Sequence, residues 1–207
     1  MSDPGARRQR TKPEVRVLDA ARELFLAHGF SAVSTEALAK ASGSSKATIY
    51  KYFGNMIGVL TALMQEEGDL FDLGADNSPG SASDFWKALV GYGNNLLTLL
   101  NNDFCIRLDR MMHEEARLQQ ELAEQFYAAA YGRGHREVTE LIALGKAQGY
   151  VVHDLAAEDL ADHLISLWEG LPFIRARLGL TDLPFANPSQ RARRCVEILF
   201  PGQLVLD

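Results

Sequence analysis

Residues 44-SSKATIYKY-52 place two serines, two lysines, a threonine and two tyrosines within nine positions, around a single alanine and a single isoleucine. Short hydroxyls and flexible cations at this density suit hydrogen bonding to phosphate oxygens and to the edges of bases in a DNA major groove. Ser44, Ser45, Lys46 and Thr48 offer such groups, and Ala47 is small enough to pack on a thymine methyl. Tyr50, Lys51 and Tyr52 continue the same stretch. The competing assignment for Tyr50 and Tyr52 is that of half-buried aromatics wedged between helices.

For those side chains to reach a groove, they must stand on a short, well-positioned helix. Ser45 is suited to cap one, with Ile49 and Phe53 turned inward. Upstream, a helix starts near Pro13, carries an apolar stripe of Val17, Leu18, Ala21, Leu24 and Phe25, and stops at Gly29. A second, short helix is capped by Ser34, carries Leu38 and Ala41, and ends at Gly43. The two short helices meet at 41-ASGSS-45, the layout of a helix-turn-helix whose first helix supports and whose second reads. Thr35 and Lys40 are candidate backbone contacts from the supporting helix. Before all of this lies 7-RRQRTK-12, where Arg7, Arg8, Arg10 and Lys12 form either a phosphate-binding or minor-groove arm, or a solvated tail.

The charge of −6 hides an asymmetry. Residues 1–53 hold nine Lys/Arg against five Asp/Glu, a net of +4, while residues 54–207 hold twelve against twenty-two, a net of −10. A basic module on an acidic body is the expected footprint of nucleic-acid binding. No apolar run approaches the roughly 18–20 residues of a membrane helix, and no apolar segment follows the basic N-terminus. A cytoplasmic location and no membrane partner are expected. Cys105 and Cys195 are far apart and read as small buried hydrophobes rather than redox groups.

Helical periodicity continues along the remaining chain. A helix from about Asn55 to Leu73 precedes the Gly/Ser/Asp-rich stretch 74-GADNSPGSAS-83. Further helices are expected over 84–101, 103–114, 117–148 and, capped by Asp154, over 154–178, with a break at Gly170-Leu171-Pro172. Asn187-Pro188-Ser189-Gln190 opens a last helix to about Phe200. The fold class is therefore all-α: a flexible basic arm at 1–12, a three-helix DNA-binding domain at 13–54, and a helical bundle at 55–207.

Residues 17-VLDAARELFLAHGFSAVSTEALAKASGSSKATIYKYF-53 resemble the DNA-binding domain of the TetR (tetracycline repressor) family. The likeness runs through the Ala-Ala-x-x-Leu-Phe, His-Gly-Phe, Leu-Ala-x-Ala-Ser-Gly and Ser-Lys-x-Thr-Ile-Tyr-x-Tyr-Phe elements. Residues 107–134 and 149–165 more loosely resemble the ligand domain of the AefR-like branch. The resemblance implies a homodimeric, ligand-responsive transcriptional regulator, a repressor, reading a pseudo-palindromic operator in double-stranded DNA. It implies that Tyr50 donates its hydroxyl to a phosphate. It also implies a lysine and then a glutamate where this chain has Met56 and Ile57. That departure removes a phosphate contact, which the free N–H groups of the following helix could replace, and Gly58 weakens the helix's first turn by about 0.5–1 kcal/mol relative to alanine.

Nothing in the second domain points to catalysis. Glu114-Glu115 and Glu158-Asp159 are sequence neighbours that diverge around a helix, and the five histidines show no metal-binding spacing. Neither an enzyme, a metal nor a cofactor is expected. A pocket for an unknown small apolar or amphipathic effector is, drawn from Trp86, Tyr92, Asn95, Met112, His113, Phe126, Tyr127, Tyr131 and Trp168 on different helices. For any one of them, core packing is the competing role. Apolar strips of Leu160, Leu164, Leu167, Trp168, Leu171 and Ile174, and of Val196, Leu199 and Phe200, are expected at a four-helix dimer interface.

Overall fold

The structure, a computed structural model, describes residues 12–70, 79–117 and 119–204. Among them are ten α-helices and no strand: α1 (Lys12–His28), α2 (Thr35–Ser42), α3 (Lys46–Phe53), α4 (Met56–Leu70), α5 (Ala82–Leu99), α6 (Asp103–Glu115), α7 (Gln120–Ala129), α8 (Tyr131–Ala147), α9 (Ala157–Arg177) and α10 (Pro188–Leu199). They form two compact units. The first runs to Asp69 and takes in Leu108–Ala129; the second comprises Leu70–Arg107 and the residues from Ala130 on.

In the first unit α1 packs on α2 and α3. Val17, Leu18, Ala21 and Phe25 on α1, Leu38 on α2 and Ile49 on α3 are fully buried, the apolar stripes closing on one another. Val59, Leu60 and Leu63 of α4 are buried as well. Arg22 of α1 ties α4 to the same unit, reaching Glu66 at 3.4 Å and pairing more closely with the buried Glu67.

In the second unit α5 packs against α8, α9 and α10. Its core is aromatic. Trp86 lies edge-on to Phe85 at 4.9 Å and tilts against Phe200 at 5.4 Å, while Tyr92 stacks on Trp168 at 6.2 Å.

The helix starts differ in how they are closed. Ser34, Ser45, Ser81 and Asn187 each accept a hydrogen bond from the backbone N–H three residues on, capping α2, α3, α5 and α10. Asp154 does not cap α9. That helix begins after Ala156 with no side-chain cap, because Lys146 donates to the carbonyls of His153, at 2.7 Å, and Leu155 and holds this segment as a loop. Nor is 117–148 one helix: Ala130, at φ −98° and ψ −85°, separates α7 from α8. The break within α9 is where glycine and proline put it. Gly170 adopts φ 49° and ψ −160°, a combination open only to glycine, and Pro172 supplies no N–H.

The carbonyls stranded by that break are met from α10. Arg191 donates from Nε to the Trp168 carbonyl at 2.5 Å and from one terminal nitrogen to the Leu167 carbonyl at 2.7 Å. Its guanidinium also lies 5.5 Å from the centre of the Phe185 ring. The Cys195 thiol donates to the Leu167 carbonyl at 3.4 Å, and burial pushes its pKa up.

Candidate nucleic-acid interface

The turn between α2 and α3 is assembled from backbone and hydroxyl groups lying within ten residues of each other. Gly43 takes the left-handed conformation, φ 61° and ψ 30°, that closes α2, and the Ser44 N–H folds back onto the Ala39 carbonyl at 3.0 Å. The buried Ser42 hydroxyl donates to the Leu38 carbonyl at 2.7 Å. Ser45 then caps α3, accepting from the Thr48 N–H at 3.1 Å, and its hydroxyl lies 2.9 Å from that of Thr48.

Burial of Ile49 on one side fixes what α3 presents on the other. Lys46, Ala47, Tyr50 and Lys51 are exposed, at helical spacings that put them on one face, and Tyr50 is 51% exposed. An aromatic side chain that accessible is not a wedge between helices. The Lys51 ammonium lies 5.5 Å over the ring of the half-buried Tyr52. Ser45 is exposed, while Thr35 and Thr48 are half-buried.

Two expected contacts meet a restriction. The Ser44 hydroxyl oxygen is buried and has no hydrogen-bond partner among the described residues, so it points away from the face Lys46 and Tyr50 share. Lys46 forms an exposed ion pair with Glu36 of α2, which the sequence reading missed. An exposed pair of this kind is worth little in water, roughly 0–1 kcal/mol, and yields to a phosphate. Arg7, Arg8 and Arg10 lie outside the described residues.

At the start of α4, Met56 and Ile57 are half-buried. Asn55, expected at the start of this helix, accepts the Gly58 N–H at 2.8 Å. This N–H is therefore not free for a phosphate. The role of Gly58 is also different from that of a weak point in a helix. A Cβ built on it would lie 1.8 Å from the Phe53 carbonyl oxygen, so only glycine lets the end of α3 rest on α4.

The residues expected around an effector divide between the two units. Met112, His113, Phe126 and Tyr127 belong to the first; Trp86, Tyr92, Asn95, Tyr131 and Trp168 belong to the second. Trp86, Tyr92 and Trp168 come together in the second unit's core, with Asn95 half-buried and Tyr131 half-buried at the start of α8. The Tyr92 hydroxyl donates to Glu137 at 2.9 Å, and Arg133 pairs with the same carboxylate at 2.9 Å. Burial raises the Tyr92 pKa well above the ordinary phenol value, and the Glu137 carboxylate raises it further against a smaller opposing effect of Arg133. In the first unit Met112 is buried, whereas Tyr127 and His113 are exposed.

The apolar strips of α9 and α10 need correction. Leu160, Leu164, Trp168, Val196 and Phe200 are completely buried within their own chain, and Leu167 and Leu199 pack partly against the same core. Beyond Gly170 the helix changes phase, so Leu171 is 64% exposed and Ile174 and Leu178 also face solvent. Ile198 of α10, which the sequence reading omitted, is 66% exposed.

Comparison with known proteins agrees with this geometry. Residues 17–63 match the model of the bacterial regulatory proteins of the tetR family, and residues 87–200 match that of the AefR-like transcriptional repressor C-terminal domain. The chain belongs to the TetR family. This TetR-family chain is a DNA-binding transcriptional regulator and not an enzyme. It is 31% identical over 87 residues to the uncharacterized HTH-type transcriptional regulator YvkB of Bacillus subtilis (strain 168), a match covering 42% of this chain and 44% of that protein, less than half of each. Among solved structures, a TetR transcriptional regulator from Agrobacterium tumefaciens is 26% identical, with a TM-score of 0.73 and coverage of 92% of this chain and 93% of that one. The flavonoid-responsive regulator FrrA is 25% identical, with a TM-score of 0.72 and coverage of 92% and 98%. No helix among the described residues is long and apolar enough to cross a membrane.

Proposed function

We propose that this regulator is a cytoplasmic homodimeric repressor that leaves its operator when a small apolar or amphipathic effector binds the C-terminal helical domain. The observation that carries the DNA half of the reading is the exposed face of α3, where Lys46, Ala47, Tyr50 and Lys51 stand beside a capped turn that leaves them solvent-facing. Arg7, Arg8 and Arg10 add a basic arm. Residues 13–54 form the DNA-binding domain and residues 55–207 the effector and dimerisation domain in this reading.

One short helix reads too few base pairs for useful specificity, so a two-fold pair on a pseudo-palindromic site is required. The dimer face is built on Leu171, Ile174, Leu178 and Ile198, whose exposure on adjoining helices favours a second copy of the chain as the partner. The effector is held within the second unit, by Tyr92, Asn95 and Tyr131 beside the aromatic core of Trp86 and Trp168. The likeness to a flavonoid-responsive regulator favours an amphipathic aromatic molecule. Such an effector weakens operator binding by no more than its preference for the released state.

A gel-shift titration against the DNA flanking its own gene tests the reading. Sequence-specific, salt-sensitive binding by a dimer, verified by sedimentation, is the expected result. Binding that ignores sequence, or a monomer at operator-saturating concentration, overturns it.

A further inference from the structure

Residues 29–34 join α1 to α2, and the chain turns at Phe30 and Ser31. From below the turn is anchored by the buried Phe30, whose ring centre is 5.2 Å from that of Phe25. From above it is gripped by residues more than eighty positions away. The Ser31 N–H donates to Glu115 Oε1 at 3.2 Å, and the Ser31 hydroxyl donates to Glu115 Oε2. Gln119 Nε2 donates to the same hydroxyl oxygen at 2.8 Å. Glu115 Oε1 lies 3.1 Å from the point a Cβ on Gly29 would occupy, so the carboxylate sits over the glycine as well as on the serine.

Glu115 is the last residue of α6, a helix whose first residues, Asp103 to Arg107, belong to the second unit and whose remainder belongs to the first. A carboxylate accepting one N–H and one O–H is a directional clasp, stronger than a bond between neutral groups. The clasp therefore joins the end of α6 to the turn after α1, both within the first unit.

We propose that Glu115, assisted by Gln119, is a positioning residue that clasps the α1–α2 turn at Ser31 and holds the first unit in the geometry that binds operator. The proposal rests on the repressor reading above. Losing the clasp lets the turn adopt other angles, and affinity falls by the fraction of molecules no longer in the competent arrangement.

The test uses full-length wild-type protein, Glu115→Ala, Ser31→Ala, the double variant and Glu115→Gln. Each is titrated against the tightest duplex that the wild type selects from a randomised pool, and thermal midpoints are measured in parallel. Glu115→Ala should weaken binding by about fivefold to tenfold, the lower end for a charge-assisted bond at a wetted site. Adding Ser31→Ala should cost less than Ser31→Ala costs alone, since only the Gln119 bond is then left to lose. Glu115→Gln, whose amide oxygen still accepts the Ser31 N–H but without the charge or the second acceptor, should fall between Glu115→Ala and wild type. A contact that serves only folding would lower the thermal midpoint and leave the affinity of the folded protein intact; this outcome overturns the proposal, as do unchanged or tighter binding in Glu115→Ala and additive losses in the double variant. A wild type that selects no sequence at all overturns the repressor reading instead.

Discussion

Two helix breaks in this chain solve the same problem by opposite means. At Gly43 and at Gly170 the backbone leaves the helix through a positive φ, stranding carbonyls that need donors. The first break is closed from within: the Ser44 N–H returns to Ala39, and Ser45 starts the next helix. The second is closed from outside, by Arg191, twenty-odd residues along the chain on another helix. A locally closed turn survives any change elsewhere in the molecule. A turn closed by a distant guanidinium is only as secure as the packing of α9 on α10.

Removing Arg191 should therefore have the largest effect. Arg191→Met keeps the apolar stem but leaves the Leu167 and Trp168 carbonyls without that donor, and should cost about 2–4 kcal/mol in urea unfolding at fixed protein concentration. Gly170→Ala forces a side chain into a conformation open only to glycine, with its Cβ 2.7 Å from an Arg191 nitrogen. A loss of about 1–3 kcal/mol is expected in the same assay. Gly43→Ala has open space for its Cβ and suffers only backbone strain, about 1 kcal/mol; a loss equal to that of Arg191→Met would erase the distinction between the two breaks. Ser45→Ala removes the α3 cap, for about 1 kcal/mol of stability and a matching loss of operator affinity in gel-shift titration. Met56→Lys is the mildest: stability unchanged, and the slope of log affinity against log salt steeper by roughly 0.9. An unchanged slope would show that position 56 does not face a phosphate.

The same contrast explains what the sequence made readable. Ser34, Gly43, Ser45 and Asn187 act on neighbours three or four residues away, so their types and spacing state their roles. The α7–α8 break does not announce itself, since Ala130 is a helix former and the Ala/Leu/Glu pattern runs through it. Periodicity marked Leu160, Leu164 and Trp168 as one stripe, but nothing local says whether a stripe meets its own chain or another. The kink at Gly170 decides it by turning Leu171 and Ile174 to a different side. Around α3, the exposure of Lys46, Tyr50 and Lys51 follows directly from Ile49 being apolar. The inward hydroxyl of Ser44, and the ion pair that occupies Lys46, depend on where α2 lies.

The Phe53 carbonyl seated on Gly58 has a mechanical consequence. With no side chain between them, the Phe53 carbonyl lies directly against the first turn of α4. At 15 residues α4 is a rod of about 22 Å. Pushing its far end sideways by about 2 Å swings it through about 5°, by the geometry of a rod this long. A bulkier residue at the joint would have to push the Phe53 carbonyl away and part the end of α3 from the first turn of α4.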